Sequence, residues 1–141
     1  MFMGEYNHTV DEKGRLIIPS KLRDGLGSEF VITKGLDGCL FAYENTEWKA
    51  FEEKLQGLPL TSKDSRTFVR FMLGGAQSVE LDKQGRVLLP QPLRNFAGID
   101  KDVTLVGMAN RVEIWSKEKY DAISSVDNMD EIAANMEALG I

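Results

Sequence analysis

Short apolar runs of strand length alternate along this chain with longer stretches in which apolar residues recur at helical spacing. Tyr6 to Val10 and Leu16 to Ile18 read as strands around a turn at Glu12-Lys13-Gly14. Gly14 there supplies the positive φ that a tight hairpin requires. Pro19 cannot donate to a ladder and ends the second strand, and Ser20 is expected to cap a short helix over Lys21 to Gly25. Phe30 to Thr33 and Cys39 to Tyr43 predict a second hairpin around Leu36-Asp37-Gly38. The same order returns later: Ser78 to Leu81, Val87 to Leu89, a short helix near Leu93, then Val103 to Val106 and Val112 to Trp115. Helical spacing governs the rest. Thr46 to Leu55 sets Trp48, Phe51 and Leu55 on one face. Thr61 to Leu73 opens on Thr-x-x-Asp, carries Phe68, Val69, Met72 and Leu73, and stops at Gly74-Gly75. Lys117 to Ile123 is followed by Asn128 to Leu139, with Asn128 as cap, Glu131 at the third position, Gly140 as stop, and Ile132, Met136 and Leu139 as its stripe.

The return of the pattern reflects a repeat in the residues themselves. Asp11-Glu-Lys-Gly-Arg-Leu-Ile-Ile-Pro-Ser-Lys-Leu-Arg23 matches Asp82-Lys-Gln-Gly-Arg-Val-Leu-Leu-Pro-Gln-Pro-Leu-Arg94, with Asp, Gly, Arg, Pro, Leu and Arg coinciding at an offset of 71. Gly27 and Gly98 keep that offset. A one-residue insertion then aligns Gly35 with Gly107 and Leu40 to Tyr43 with Val112 to Trp115 at an offset of 72, and sets Trp48 opposite Tyr120. The expected organisation is a first module over 1–58, a linking helix over 59–76, a second module over 77–123 and an acidic C-terminal helix over 124–141. The pattern implies a β-rich α+β fold.

Composition narrows the classes of function. The 141 residues are 43% hydrophobic and 28% charged, the balance of a soluble globular protein. No apolar run is long enough to span a bilayer, and the N-terminus lacks the features of a signal peptide. One cysteine, Cys39, and one histidine, His8, make neither a disulfide framework nor a zinc site. Cys39 reads as a small buried hydrophobe, and the combination points to the cytoplasm. The net charge of −5 argues against nucleic acid until its distribution is considered. Asp121, Asp127, Asp130, Glu131 and Glu137 lie in a stretch from Asp121 to Ile141 that has no Lys or Arg, and without these five acids the chain is neutral. Lys13, Arg15, Lys21 and Arg23 outnumber Asp11 and Glu12, and Lys83, Arg86 and Arg94 outnumber Asp82, so both repeat segments are locally basic. Distant acids are screened from such patches beyond roughly 8–10 Å.

Enzyme motifs are absent. Gly74-Gly75 lacks the Lys-Ser/Thr of a phosphate loop, and no Ser-His-Asp set stands out. Asp11 and Asp82 could pair as catalytic carboxylates, but each precedes an Arg by four residues, which favours a turn-stabilising ion pair, and no enzyme activity or cofactor is expected. A single Asp-x-x-Gly-Arg is most simply a hairpin turn: Asp11 or Asp82 caps the backbone, Gly14 or Gly85 permits the turn, and Arg15 or Arg86 pairs with the Asp. Two copies with added Lys change the weighing. Arg15 and Arg86 stand where a hairpin tip projects, and arginine bidentate to guanine suits a β-ribbon in the major groove. Lys13, Lys83 and Lys21 would then contact phosphate. Phe30, Phe41, Tyr43, Trp48, Trp115 and Tyr120 occupy apolar, repeat-equivalent positions and are expected in the core, not on a base-stacking platform.

Asp11/Arg15 and Asp82/Arg86, each running into three apolar residues and Pro-x-x-Leu-Arg, together with Phe2-Met3-Gly4-Glu5-Tyr6 and a helix ending Gly74-Gly75-Ala76, resemble the MraZ family over the whole chain. That family is similar to the AbrB and SpoVT class. The resemblance implies a duplicated swapped-hairpin, AbrB-like β-barrel, or double-split β-α-β arrangement, with flanking helices. It implies a DNA-binding transcriptional regulator, usually a repressor, on short G-rich direct repeats in the promoter of the division and cell-wall gene cluster. It further implies a ring-shaped homo-oligomer, commonly an octamer, associated with the nucleoid, and it points to Arg15 as a base reader with Arg86 as its equivalent. The second module departs from the first, with Pro92 in place of Lys21 and Gln84 in place of Lys13. The alternative is a protein-interaction or antitoxin-like ring scaffold of the same fold.

Overall fold

Antiparallel strands build the centre of the molecule, described over residues 1–141 by a computed structural model. The first half runs β1 (Glu5–Thr9), β2 (Arg15–Ile17), α1 (Ser20–Leu26), β3 (Glu29–Lys34), β4 (Leu40–Glu44) and α2 (Asn45–Gln56). After α3 (Lys63–Gly74) the order recurs as β5 (Gln77–Glu80), β6 (Arg86–Leu88), α4 (Gln91–Ala97), β7 (Asp102–Gly107), β8 (Val112–Ser116) and α5 (Lys117–Ser124). Helix α6 (Met129–Met136) and a 3-10 turn (Glu137–Leu139) close the chain.

The two halves interleave. β1 does not form a ladder with β2; a single bridge, Val10 to Leu16, joins their bases. β1 instead pairs with β7 of the second half, and β5 pairs with β3 of the first. β2 and β6 pair only with each other. The result is a six-stranded sheet in the order β1-β7-β8-β4-β3-β5 and a separate two-stranded ribbon, β2-β6. The strands exchange as the swapped-hairpin expectation requires, but they do not close into a barrel. β1 and β5 remain edges, because the ribbon strands that would bridge them bond to each other.

Both faces of the sheet are covered, which explains its nearly continuous apolar strands. In β4, Leu40 and Ala42 face one core while Phe41 and Tyr43 face the other. The larger core joins Leu16, Ile18, Val87 and Leu89, from the ribbon strands and the residues that follow them, to Leu22 and Leu26 of α1, Leu93 and Ala97 of α4, and the inner residues of the sheet. The smaller one seats Leu55 of α2 and Met72 of α3 on Phe41, Tyr43 and Trp115. Tyr43 stacks on Phe51 at 5.3 Å, and the buried Thr33 hydroxyl donates to the Met72 carbonyl at 2.6 Å. Of the aromatics expected inside, Phe30, Phe41, Tyr43 and Trp115 are buried, while Trp48 and Tyr120 are half-buried against the smaller core.

Three caps differ from expectation. Ser20 is the first residue of α1 and caps nothing; Pro19 precedes the helix, with φ −54° and ψ 141°, and its carbonyl accepts from the Leu22 and Arg23 amides. The ring fixes that geometry without a side-chain bond, and Pro90 serves α4 in the same way. The cap of α3 is Ser62, whose Oγ accepts from the Ser65 amide, and not Thr61. Asn128 precedes α6 without a side-chain bond. The repeat register also differs. Phe30 pairs with Glu44 and Val103 with Ser116, so Phe30 corresponds to Val103 at an offset of 73. Two residues are gained before β7, and one is returned in a tighter β7–β8 loop, so Gly107 corresponds to Lys34 and not to Gly35.

Candidate nucleic-acid interface

The two Asp-x-x-Gly-Arg segments fold into near-identical loops. Asp11 Oδ1 accepts from the amides of Lys13 (3.0 Å) and Arg15 (2.9 Å), while Oδ2 accepts from Arg15 Nε at 2.7 Å. Asp82 repeats this with the Gln84 and Arg86 amides (both 2.9 Å) and Arg86 Nε at 2.8 Å. The Gly14 amide donates to the Asp11 carbonyl and the Gly85 amide to the Asp82 carbonyl, with φ of 85° and 76° at the glycines. Each aspartate thus closes the turn and holds its arginine. The backbone bond from Arg15 is the largest cause that holds the Asp11 carboxyl below the usual carboxylate range, with the Arg15 side-chain bond adding to it. Asp82 is lowered by the same contacts from Arg86.

The ribbon brings the loops together. Arg15 pairs with Leu88, Leu16 with Val87, and Ile17 with Arg86, so a local two-fold passes between Leu16 and Val87. Strand alternation turns Leu16 and Val87 into the core. It turns Arg15, Ile17, Arg86 and Leu88 outward as one plaque. Arg86 Nη1 also lies 4.0 Å from Asp11 Oδ2, so the first loop's carboxylate faces both guanidinium groups. The loops brace across the same axis. Ile18 donates to the Gly85 carbonyl at 3.0 Å and Leu89 to the Gly14 carbonyl at 2.9 Å. Arg23 of α1 fills the space beside Gly85, and Arg94 of α4 fills that beside Gly14.

Of the residues expected at the site, Arg15, Arg86, Asp11, Asp82, Gly14 and Gly85 converge here. Lys13 and Lys83 are exposed in the loops, and Lys21 is exposed in the first turn of α1. Four contributors were missed. Ile17 and Leu88 are 46% and 57% exposed, and simple alternation from Arg15 would have turned them outward. Arg23 and Arg94 were visible as the last residue of each repeat, but their place behind the opposite loop depends on the strand exchange. No three His, Cys, Asp or Glu side chains converge to hold a metal ion, and no helix is long and apolar enough to cross a membrane.

Comparison with known proteins finds one family along the whole chain. The family model described as "MraZ protein, putative antitoxin-like" matches residues 1–71 and again 72–140. A protein of Clostridium beijerinckii named transcriptional regulator MraZ is 59% identical over all of both chains. Its namesake in Acetivibrio thermocellus is 57% identical over all of both chains. That of Lachnoclostridium phytofermentans is 55% identical, covering all of this chain and 99% of its own.

Proposed function

The chain belongs to the MraZ family, and from that premise we propose that it is a sequence-specific DNA-binding transcriptional regulator, acting as a repressor through the β2-β6 ribbon. The observation that carries this reading is the pair of arginines held on one outward face by their own aspartates. A two-stranded ribbon fits the major groove. Each aspartate takes Nε of its own arginine, which leaves both terminal nitrogens of Arg15 to reach guanine O6 and N7 as a fork, while Arg86 also has Nη1 4.0 Å from Asp11 Oδ2. Because the fork is oriented beforehand, less side-chain freedom is lost on binding. Lys13, Lys83 and Lys21 contact phosphate, and Ile17 and Leu88 offer apolar surface to thymine methyls. Residues 1–58 and 77–123 are the two reading modules, 59–76 links them, and 124–141 serves assembly.

Family resemblance extends the proposal to short G-rich direct repeats in the promoter of the division and cell-wall gene cluster. It also suggests a ring, of about eight copies, associated with the nucleoid in the cytoplasm. A ring suits the small number of cations per chain. Several hairpins on several repeats gain avidity of roughly 10²–10⁴-fold. A second reading, an antitoxin-like partner-binding scaffold, draws on the exposed Ile17 and Leu88 between the arginines and on the description of the family model. Titration of a labelled duplex with one to four G-rich repeats, beside scrambled duplex and the variants Arg15→Ala and Arg86→Ala, separates the two. Salt-sensitive binding that steepens with repeat number and fails in the variants supports the regulator. Equal binding to scrambled DNA by all of them turns the ribbon into a protein-docking surface.

A further inference from the structure

Helix α6 and the turn after it bury no residue. Apart from the Val126 amide, which donates to the Ser124 carbonyl at the end of α5, neither hydrogen bonds nor ion pairs tie residues 125–141 to the body of the chain. The segment is nevertheless amphipathic. Met129, Ile132, Met136 and Leu139 recur at helical spacing, with Met129 55% and Leu139 74% exposed, while Asp127, Asp130, Glu131 and Glu137 supply charge of one sign. An isolated helix shorter than about 12–15 residues is marginal in water, so an eight-residue helix whose apolar stripe is half-buried at Ile132 and Met136 and exposed at Met129 and Leu139 is built to meet a surface.

A matching surface exists on the helix layer. The loop between α2 and α3 and the facing sides of the two helices enclose an open groove of about 450 Å³. Leu55, Leu58, Leu60 and Val69 supply its apolar wall, Arg66 and Arg70 line it, and no acidic residue does. Leu60 is 83% exposed, and Arg66 donates to its carbonyl at 2.9 Å, which fixes one of the cations over the loop. The groove is apolar and basic, and the C-terminal helix is apolar and acidic.

We infer that the C-terminal helix of one copy docks in the α2–α3 groove of a second copy, with its apolar stripe on Leu58, Leu60 and Val69 and its carboxylates on Arg66 and Arg70. Donor and acceptor are different patches, so each copy gives one helix and receives one. Such a head-to-tail contact generates a ring when the rotation closes. It also lies on the side of the sheet that α2 and α3 cover, so the ribbon, which packs with α1 and α4 on the opposite side, stays free. The inference deepens the self-association proposed above and is independent of DNA reading.

The test is cross-linking of full-length chains. One chain carries Leu60→Cys and another, of different mass, carries Leu139→Cys; they are co-expressed and treated with a short bismaleimide. Both positions are exposed, so neither change threatens the fold, and the native Cys39 is buried. The expected result is a covalent heterodimer. It is lost when the first chain also carries Arg66→Glu and Arg70→Glu, and it returns when the second carries Asp130→Lys and Glu131→Lys. Assemblies that sediment as rings but give no heterodimer would overturn the inference. So would closure within a single chain carrying both cysteines, without the intermolecular product. A protein that stays monomeric would remove the ring proposal along with it, while the duplex titration judges the ribbon separately.

Discussion

Replacing Arg15 by lysine keeps the charge and removes the fork, which makes it the sharpest probe of the ribbon. In the structure Asp11 engages Arg15 through Nε, leaving two terminal nitrogens for one base. Lysine has one nitrogen. If it stays on Asp11, nothing is left for guanine; if it reaches out, it makes one bond and must be ordered from a freer side chain. The loss of one bidentate pair amounts to about 1–3 kcal/mol of discrimination, or roughly 5–150-fold in preference for a G-rich duplex over a scrambled one. The loop should survive, because Asp11 still accepts from the Lys13 and Arg15 amides. The slope of log K against log salt should also persist, since the number of neutralised phosphates is unchanged. Anisotropy titrations on specific and scrambled duplexes at four salt concentrations would measure both quantities. The same change at Arg86, alone and combined, reports whether the second loop reads a base too. Unchanged preference in Arg15→Lys would refute base reading by the fork, and an equal loss on both duplexes would show that the arginine acts only through the backbone.

Further outcomes follow from single sites. Gly85→Ala places a methyl group against Arg23 at a φ of 76°; urea unfolding should show a loss of about 1–3 kcal/mol, and unchanged stability would mean that Arg23 swings aside. The carboxyls of Asp11 and Asp82 are lowered in the folded loops, so their loop-holding bonds are complete above the ordinary carboxylate range and are lost only as pH falls through the depressed values. Duplex preference should therefore be flat from neutrality to mild acid, and carbon NMR titration should place both midpoints below that of free aspartate; ordinary midpoints would mean open loops. Burial pushes the Cys39 thiol up to about 12, so a thiol reagent at pH 8 should react only as the protein unfolds, and rapid reaction of the native state would contradict the packing of β4. Thr33→Val removes the hydroxyl bonded to the Met72 carbonyl; the expected loss of about 1–2 kcal/mol in urea unfolding tests whether that bond anchors α3 to the sheet.

Much of the molecule can be read from local chemistry. The positive φ at Gly14 and Gly85, the strand-ending prolines, the apolar triplets and the match between Asp11–Arg23 and Asp82–Arg94 are consequences of neighbouring residues, so the loops, most element types and the duplication were legible from the chain alone. The pairing of each Asp with its Arg spans four residues and was legible for the same reason. The strand partners were not. β1 lies beside β2 in sequence yet bonds to β7, because two like-patterned halves can exchange strands and satisfy the same backbone groups. Only packing of both halves around one core, from Leu16 to Ile114, selects that solution. The tertiary structure therefore decided the plaque of Arg15, Ile17, Arg86 and Leu88, the bracing of each loop by an arginine of the other half, and the open sheet in place of a barrel. These features join residues about 70 positions apart through contacts across a pseudo-two-fold axis, and no local pattern carries that information.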